Sequence, residues 1–188
     1  MQKILDLTTN IDFNSPILQW AKSQDNPHIA MGHVGTHLDQ YEKTNIPLEY
    51  FESRGILFDV REIKEIGLEH IDITKVKEKD FVLFRTGQIE KYAYGEQMYF
   101  QHPELSWKVI EALIAQKVRF IGIDSAGIRM NQEHEQADRL CEKNGIYVIE
   151  NLKNLEQIQG KIQLYTMWLD DLEMTGLRCR VIAKETIG

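Results

Sequence analysis

Residues 118–150 read VRFIGIDSAGIRMNQEHEQADRLCEKNGIYVIE, and their pattern decides the fold class. Val118 to Ile123 is a short apolar run that stops on Asp124, the pattern of a buried strand. Residues 133 to 144 put Ala137, Leu140 and Cys141 on one helical face, and Gly145 can terminate that helix. A second run, Ile146 to Ile149, then ends on Glu150. Upstream, Phe81 to Arg85 fits another buried strand. Between them Pro103 is read as opening a helix to about Gln116, with Glu104 in its first turn and a stripe of Leu105, Val109, Ala112 and Leu113. Strand–helix–strand order across residues 81–149 implies parallel pairing.

The flanks complete the sheet. Lys3 to Leu7 reads as an early strand, and Ser15 to Lys22 as a short helix with Pro16 at its first position. Residues 28–46 read as irregular, Pro47 to Arg54 as a short helix ended by Gly55, and Ile56 to Val60 as a strand. Two late runs, Ile162 to Trp168 and Leu177 to Ala183, suggest an antiparallel or barrel-like closing part. The class is α/β with a mixed, partly barrel-like sheet, expected as one domain over residues 1–188, since no linker or repeat interrupts the chain.

Composition narrows the function class. Apolar residues make up 43% of the chain, enough for a core and too many for a disordered segment. With 22 basic and 29 acidic side chains the net charge is −7, which argues against a nucleic-acid partner. No apolar run approaches the ~18 residues of a membrane span. Asp6 precedes any long apolar stretch, so a signal peptide is not expected and the protein is placed in the cytoplasm. Cys141 and Cys179 are too few for a disulfide scaffold and read as reduced thiols.

The chemistry is carried by His33-Val-Gly-Thr-His37-Leu-Asp39. Imidazole nitrogen and carboxylate oxygen are the ligands that Zn²⁺ or Mn²⁺ takes when thiolates are absent. In an extended strand the two histidines would lie ~13 Å apart, too far to share an ion. The chain must therefore bend, with Gly35 free to take an unusual dihedral and Thr36 able to hydrogen-bond the neighbouring backbone. Asp124 and Glu150 stand at strand ends, where α/β sheets gather ligands, although an acid there also serves as a turn or helix cap. His134 and Asp138, four apart, share one side of their helix; an exposed ion pair is the plainer reading of that pair.

The segments His33–Asp39, Leu83-Phe-Arg-Thr-Gly87, Phe120-Ile-Gly-Ile-Asp124-Ser and Gly145-Ile-Tyr-Val-Ile-Glu150-Asn-Leu, in that order, resemble the Putative cyclase, or kynurenine formamidase-like, metal-dependent hydrolases. The resemblance runs from about Asp6 to Arg180-Val-Ile-Ala. It implies a swivelling β/β/α-type fold, a homodimer or homotetramer, and hydrolysis of a small amide, formamide or cyclic amide at one or two divalent metals. It carries metal-ligand roles to His33, His37, Asp39 and Glu150. Two departures from the family pattern, covering three positions, place the chain in a variant branch. Tyr41 and Lys43 stand where the family has a proline and a histidine thought to act in acid–base catalysis. Asp138 stands where the family has a metal-binding histidine, and it remains a competent oxygen ligand; His134, one turn earlier, could replace either lost histidine.

The expected metal set is thus His33, His37, Asp39, Asp138 and Glu150, around Zn²⁺ or Mn²⁺, with a metal-activated water as attacking group. Lys43 and His134 are the expected acid–base residues; a charged Lys43 could instead stabilise the oxyanion, and a solvated loop lysine is its plain reading. Tyr92, Tyr94, Tyr99 and Phe100 either line an apolar substrate pocket or pack as core and interface. The rival reading keeps the metal and drops the chemistry: a non-catalytic metal- or small-molecule-binding member of the same fold. His28, His70 and His102 have no partner at ligand spacing and read as structural.

Overall fold

The computed structural model describes residues 2–186. The chain starts in β1 (Gln2–Asp6) and passes through two short helices, α1 (Pro16–Lys22) and α2 (Pro27–Gly32). Next come β2 (His37–Asp39), β3 (Glu52–Asp59), the two-residue β4 (Glu65–Ile66) and β5 (Phe81–Arg85). A single-turn helix α3 (Gln88–Lys91) and a short β6 (Glu104–Leu105) precede α4 (Trp107–Gln116) and β7 (Phe120–Ile123). Helix α5 (Gln132–Lys143) leads to β8 (Tyr147–Glu150), and β9 (Lys161–Trp168) and β10 (Gly176–Thr186) end the fold.

Strands β3, β5, β7 and β8 run parallel, as crossover helices require. β9 joins β3 antiparallel, β10 joins β9, and β2 bridges β10 to β8, so seven strands close on themselves in the order β2-β8-β7-β5-β3-β9-β10. β1 lies beside β10, on the same edge as β2. The result is a mixed α/β fold built on a closed, barrel-like sheet. Alternation along each strand separates two cores. Phe81, Leu83, Phe120, Tyr147, Ile149, Leu164 and Val181 fill the interior. Val82, Phe84, Ile121, Ile123 and Val148 point outward, under Val109, Ile110 and Leu113 of α4 and Ala137 and Cys141 of α5.

That alternation also positions the polar cluster. In β2, Leu38 enters the barrel core, so His37 and Asp39 take the opposite face; in β8, Ile149 points inward and Glu150 outward. His37 and Glu150 are direct register partners across the β2–β8 pair. Three carboxylate- or imidazole-bearing positions therefore meet on the face of the sheet that α5 covers.

Three sequence expectations are corrected. Residues 28–46 are not wholly irregular, because Pro27 opens α2, Asn26 accepts a hydrogen bond from Ile29 N at 3.3 Å, and β2 forms by pairing on both edges. Leu48–Phe51 is one 3₁₀ turn only; strand β3 begins at Glu52 and runs through Gly55, which pairs with Ile162 of β9 instead of ending a helix. Glu104 and Leu105 belong to β6, paired in parallel with β4, and α4 starts after a Ser106 cap, four residues later than Pro103 suggested. Cys141 and Cys179 are free and buried. Among the described residues no helix is long and apolar enough to cross a membrane.

Candidate metal centre

Helix α2 ends at His33, Gly35 turns the chain with φ +83°, and β2 starts at His37. The left-handed turn folds the two histidines back on each other, and His33 Nδ1 lies 3.2 Å from His37 Nε2. The expected bend is present, but Thr36 holds it differently: its hydroxyl donates to Asn151 O (2.8 Å) and accepts from Thr9 N (2.8 Å), both distant in sequence. Tyr94 accepts a hydrogen bond from Gly35 N at 2.7 Å. Gly176 is needed for close approach, because a Cβ there would sit 2.8 Å from His33 Nδ1.

Each histidine is anchored on its outer nitrogen. His33 Nε2 hydrogen-bonds Thr175 Oγ1 (2.9 Å), His37 Nδ1 donates to Gly35 O (2.9 Å) and His134 Nδ1 donates to Arg129 O (3.2 Å). The two carbonyl acceptors fix the tautomers of His37 and His134 so that their Nε2 atoms present lone pairs inward, and the Thr175 bond leaves His33 Nδ1 facing the same centre. Facing them are three buried acids. Asp39 Oδ1 lies 3.3 Å from His33 and 3.6 Å from His37. Glu150 spans the cluster, with Oε2 3.5 Å from His37 and Oε1 3.5 Å from His134, while Asp138 Oδ2 is 3.4 Å from His134. Two ligand-competent groups result, His33/His37/Asp39 and Asp39/His134/Asp138/Glu150, joined at Asp39.

Both oxygens of Asp39, both of Asp138 and Oε1 of Glu150 are buried without a hydrogen bond. Orphaned buried carboxylates cost several kcal/mol each unless a cation compensates them. Burial, and then the charge of Asp39, hold Asp138 and Glu150 well above the ordinary carboxylate range. Burial acts the same way on Asp39, but the electrostatic pull of the neighbouring His37 and His33 rings outweighs it and holds that carboxyl low. Inward lone pairs beside unsatisfied acids fit a divalent cation.

The structure brings together all five expected metal positions and His134. Asp138 and His134, between which sequence did not choose, both reach the cluster. Lys43 does not. It is exposed in a turn with φ +55° and forms no ion pair with any acid of the cluster, because both flanking amides bond to Glu142 and turn its side chain to solvent. Asp124 is also outside: it accepts from Thr86 N (2.8 Å), Thr86 Oγ1 (2.6 Å) and Gly87 N (2.8 Å), as a turn cap. His28 pairs with Asp171, His70 accepts from Gly67 N, and His102 donates to Pro103 O.

A cavity of about 590 Å³ opens onto the cluster, lined by His33, His37, His134 and Glu150 on one side and by Ile17, Trp20, Tyr94 and Phe100 on the other. The aromatic stretch divides here: Tyr94 and Phe100 border the cavity, Tyr99 is core, and Tyr92 packs near Lys91 away from it. Two larger clefts, of about 1000 and 960 Å³, touch no residue of the cluster. Sequence reasoning gave no role to Asn151 or Tyr41. Asn151 Nδ2 donates to Gly35 O (3.1 Å) and its Oδ1 accepts from Tyr99 Oη (2.7 Å), tying the histidine turn to the end of β8. Tyr41, 6.4 Å from His33 between ring centres, stands over the cluster, and burial followed by the charges of Asp39, Asp138 and Glu150 raises its phenol. The one available signal was position: Asn151 follows Glu150, and Tyr41 lies two residues beyond Asp39.

A model of the family described as Putative cyclase matches residues 5–129. That span includes His33, His37 and Asp39 and stops before α5. A search of curated proteins gave no match. Among solved structures, a potential metal-dependent hydrolase with cyclase activity superposes with TM-score 0.76 over 100% of both chains, at 22% identity. A predicted metal-dependent hydrolase from Bacillus stearothermophilus gives 0.75 at 20% identity, over 99% of this chain and 100% of that one. Isatin hydrolase A from Labrenzia aggregata, bound to benzyl benzoate, gives 0.77 at 21% identity over 99% and 94%. At these identities the likeness is one of fold, and it spans essentially the whole chain. With the family model matched over more than half its length, including the His33–Asp39 motif, the chain belongs to the Putative cyclase family.

Proposed function

We propose that the protein is a metal-dependent hydrolase of a small amide, formamide or cyclic amide. The observation that carries this is the set of five orphaned carboxylate oxygens facing three anchored imidazoles at the end of a cavity. His33, His37, Asp39, Asp138 and Glu150 hold one or two divalent ions, Zn²⁺ or Mn²⁺. A bound divalent cation supplies Lewis acidity, polarising a carbonyl and lowering the pKa of water. His134 moves the proton: its Nε2 faces the cavity wall beside Glu150, takes a proton from the attacking water and returns it to the departing nitrogen. The C–N bond breaks, the acyl carbon gains the water oxygen, and the products are a carboxylate and an amine, which a cyclic amide keeps on one ring-opened molecule. Ile17, Trp20, Tyr94 and Phe100 would contact the apolar part of the substrate. That an isatin hydrolase shares the fold supports a cyclic amide within this class.

The exposure of Lys43 favours one second reading, a binding protein that keeps the ion without turnover, since no side chain stands in for the missing acid–base histidine at that position. Elemental analysis of purified protein, with a panel of formamides, cyclic amides and lactones assayed with and without chelator, decides. Stoichiometric metal and chelator-sensitive turnover are expected. Metal without turnover on any of them supports the binding reading, and absence of tight metal binding ends both. A cytoplasmic homodimer or homotetramer belongs to the same proposal. Phe13, Leu169 and Leu172, at 79–87% exposed, are apolar side chains that an interface would cover, and sedimentation tests this.

A further inference from the structure

Helix α5 carries a second inward acid. His134, Asp138 and Glu142 follow at intervals of four, so they stack along one side of the helix. The first two reach the metal cluster; Glu142, 2% exposed, does not. Its carboxylate receives Glu42 N at 2.7 Å on Oε2, and Thr44 N at 3.0 Å and Thr44 Oγ1 at 2.8 Å on Oε1. Three donors converge on a carboxylate from which water is excluded, so solvent does not compete for these bonds.

The segment held in this way leaves β2 directly after Asp39. Half of the cluster, His33, His37 and Asp39, arrives on that side of the sheet, and the α5 half arrives on the helix. Beside the β2–β8 pairing and the packing of α5 on the sheet, the register between the two halves depends on the side chains that join the helix to the loop. Glu42 adds a second tie through Arg139 of α5 at 2.7 Å. The Arg139 guanidinium lies 5.1 Å from the centre of the Tyr41 ring, and that ring faces His33.

We propose that Glu142 is a positioning residue for the metal cluster: its carboxylate ties the loop leaving β2 to the helix bearing His134 and Asp138, setting the spacing of the two halves and seating Tyr41 over them. The inference rests on the metal reading proposed above. Loss of the clamp lets the halves separate, which weakens ion binding and changes the ion's coordination while the barrel stays folded.

Co²⁺ is the probe, because its visible absorption reports coordination and its uptake requires no substrate. Glu142→Gln is nearly isosteric, but its amide group cannot accept both loop N–H groups. It should weaken Co²⁺ binding ~10–100-fold, the usual cost of losing a group that orients ligands, and should shift the visible band. Thr44→Val, which removes the hydroxyl's bonds to Glu142 and to Tyr147 Oη and keeps both loop amides on Glu142, should move both readouts the same way by less. Asp124→Asn is the control: it breaks as many hydrogen bonds to an equally buried carboxylate, outside the cluster. It should lower the melting temperature and leave Co²⁺ affinity and spectrum unchanged. Glu142→Gln protein with wild-type affinity and spectrum, or an equal spectral change in Asp124→Asn, overturns the proposal. Wild-type protein that takes up neither Co²⁺ nor Zn²⁺ overturns the metal reading as well, so the two failures are told apart.

Discussion

Asp124 directly follows β7 and Glu150 ends β8, neighbouring parallel strands that each deliver a carboxylate to the same edge of the barrel. Both acids are buried, at 1% and 3% exposure. Asp124 lies opposite the loop after β5, where two backbone amides and a hydroxyl converge on it. Burial pushes its carboxyl up to about 6 while those three donors pull it down. Glu150 lies opposite β2, and its neighbours are His37, Asp39, His134 and Asp138 instead of amides. One strand end has its donors built into the backbone; the other has been left with acceptors that only protons or a cation can satisfy. A strand-end acid is therefore structural or chemical according to which backbone groups the next element brings to it.

The largest expected effect breaks this comparison by removing the cation. Asp138 and Glu150 are raised above the ordinary carboxylate range, so without metal the folded state binds more protons than the unfolded state as pH passes above ~4. Stability of stripped protein should then fall as pH rises towards the folded pKa values, because stability drops wherever the folded state holds the extra protons. Metal-loaded protein should not show that loss. The melting-temperature gap between loaded and chelated protein should therefore widen from pH 5 to pH 8. At a free ion concentration a thousand times Kd the gap corresponds to about 4 kcal/mol, roughly 10 °C for a chain of this size. A gap that narrows with pH contradicts the assignment of these acids to a cation.

Exchanging the chemistry of the two acids sharpens the contrast next. Glu150→Gln should weaken metal binding by roughly a hundredfold, about 3 kcal/mol, and leave metal-free protein at least as stable, since a buried acid with an orphaned oxygen is lost. Asp124→Asn should do the reverse, losing roughly 1–3 kcal/mol of stability where an amide now faces donors, with ion affinity unchanged. Titration calorimetry and thermal melts on the same two variants check both halves. Equal effects on binding would remove the distinction between the strand ends.

How far this contrast was legible in the sequence follows from its causes. The parallel strands and α5 announced themselves through apolar runs and helical periodicity, which are local properties. His33, His37 and Asp39 were legible because ligand types at that spacing are uncommon by chance. β2 was not, since three residues become a strand only by pairing with β8 on one edge and β10 on the other. Asp124 and Glu150 looked alike for the same reason: their difference resides in Thr86, Gly87 and β2, none of which adjoins them in sequence. Likewise Lys43 inherited an expectation from its position in a motif, whereas Glu142, a hundred residues away, decides where that loop points.

A smaller effect tests whether the sheet side of the cluster is held as firmly as the geometry indicates. Thr175 Oγ1 hydrogen-bonds His33 Nε2 and so holds the ring with Nδ1 towards the acids. Thr175→Val keeps the shape and removes that bond. Metal affinity should fall about tenfold, the low end for loss of a group bonded to a ligand, with a melting temperature of the metal-free form near wild type. An unchanged affinity would mean that packing alone, including the close approach at Gly176, orients the ring.

The smallest effect belongs to Lys43, where the family's pattern and the geometry part most clearly. Its backbone has φ +55°, a strained value for lysine, and the amides on either side are bound by Glu142. Those bonds hold the turn whatever side chain occupies position 43. Alanine suffers the same backbone strain as lysine, so Lys43→Ala should change stability by no more than about 0.5 kcal/mol, as for other surface positions. Chelator-sensitive turnover and ion affinity should stay within twofold of wild type. If turnover falls a hundredfold with affinity intact, the lysine swings over the cluster during the reaction and proton transfer cannot rest on His134 alone. If turnover is unchanged, the acid–base function has left the loop after β2 and moved to α5, whose His134 already shares the cavity wall with Glu150.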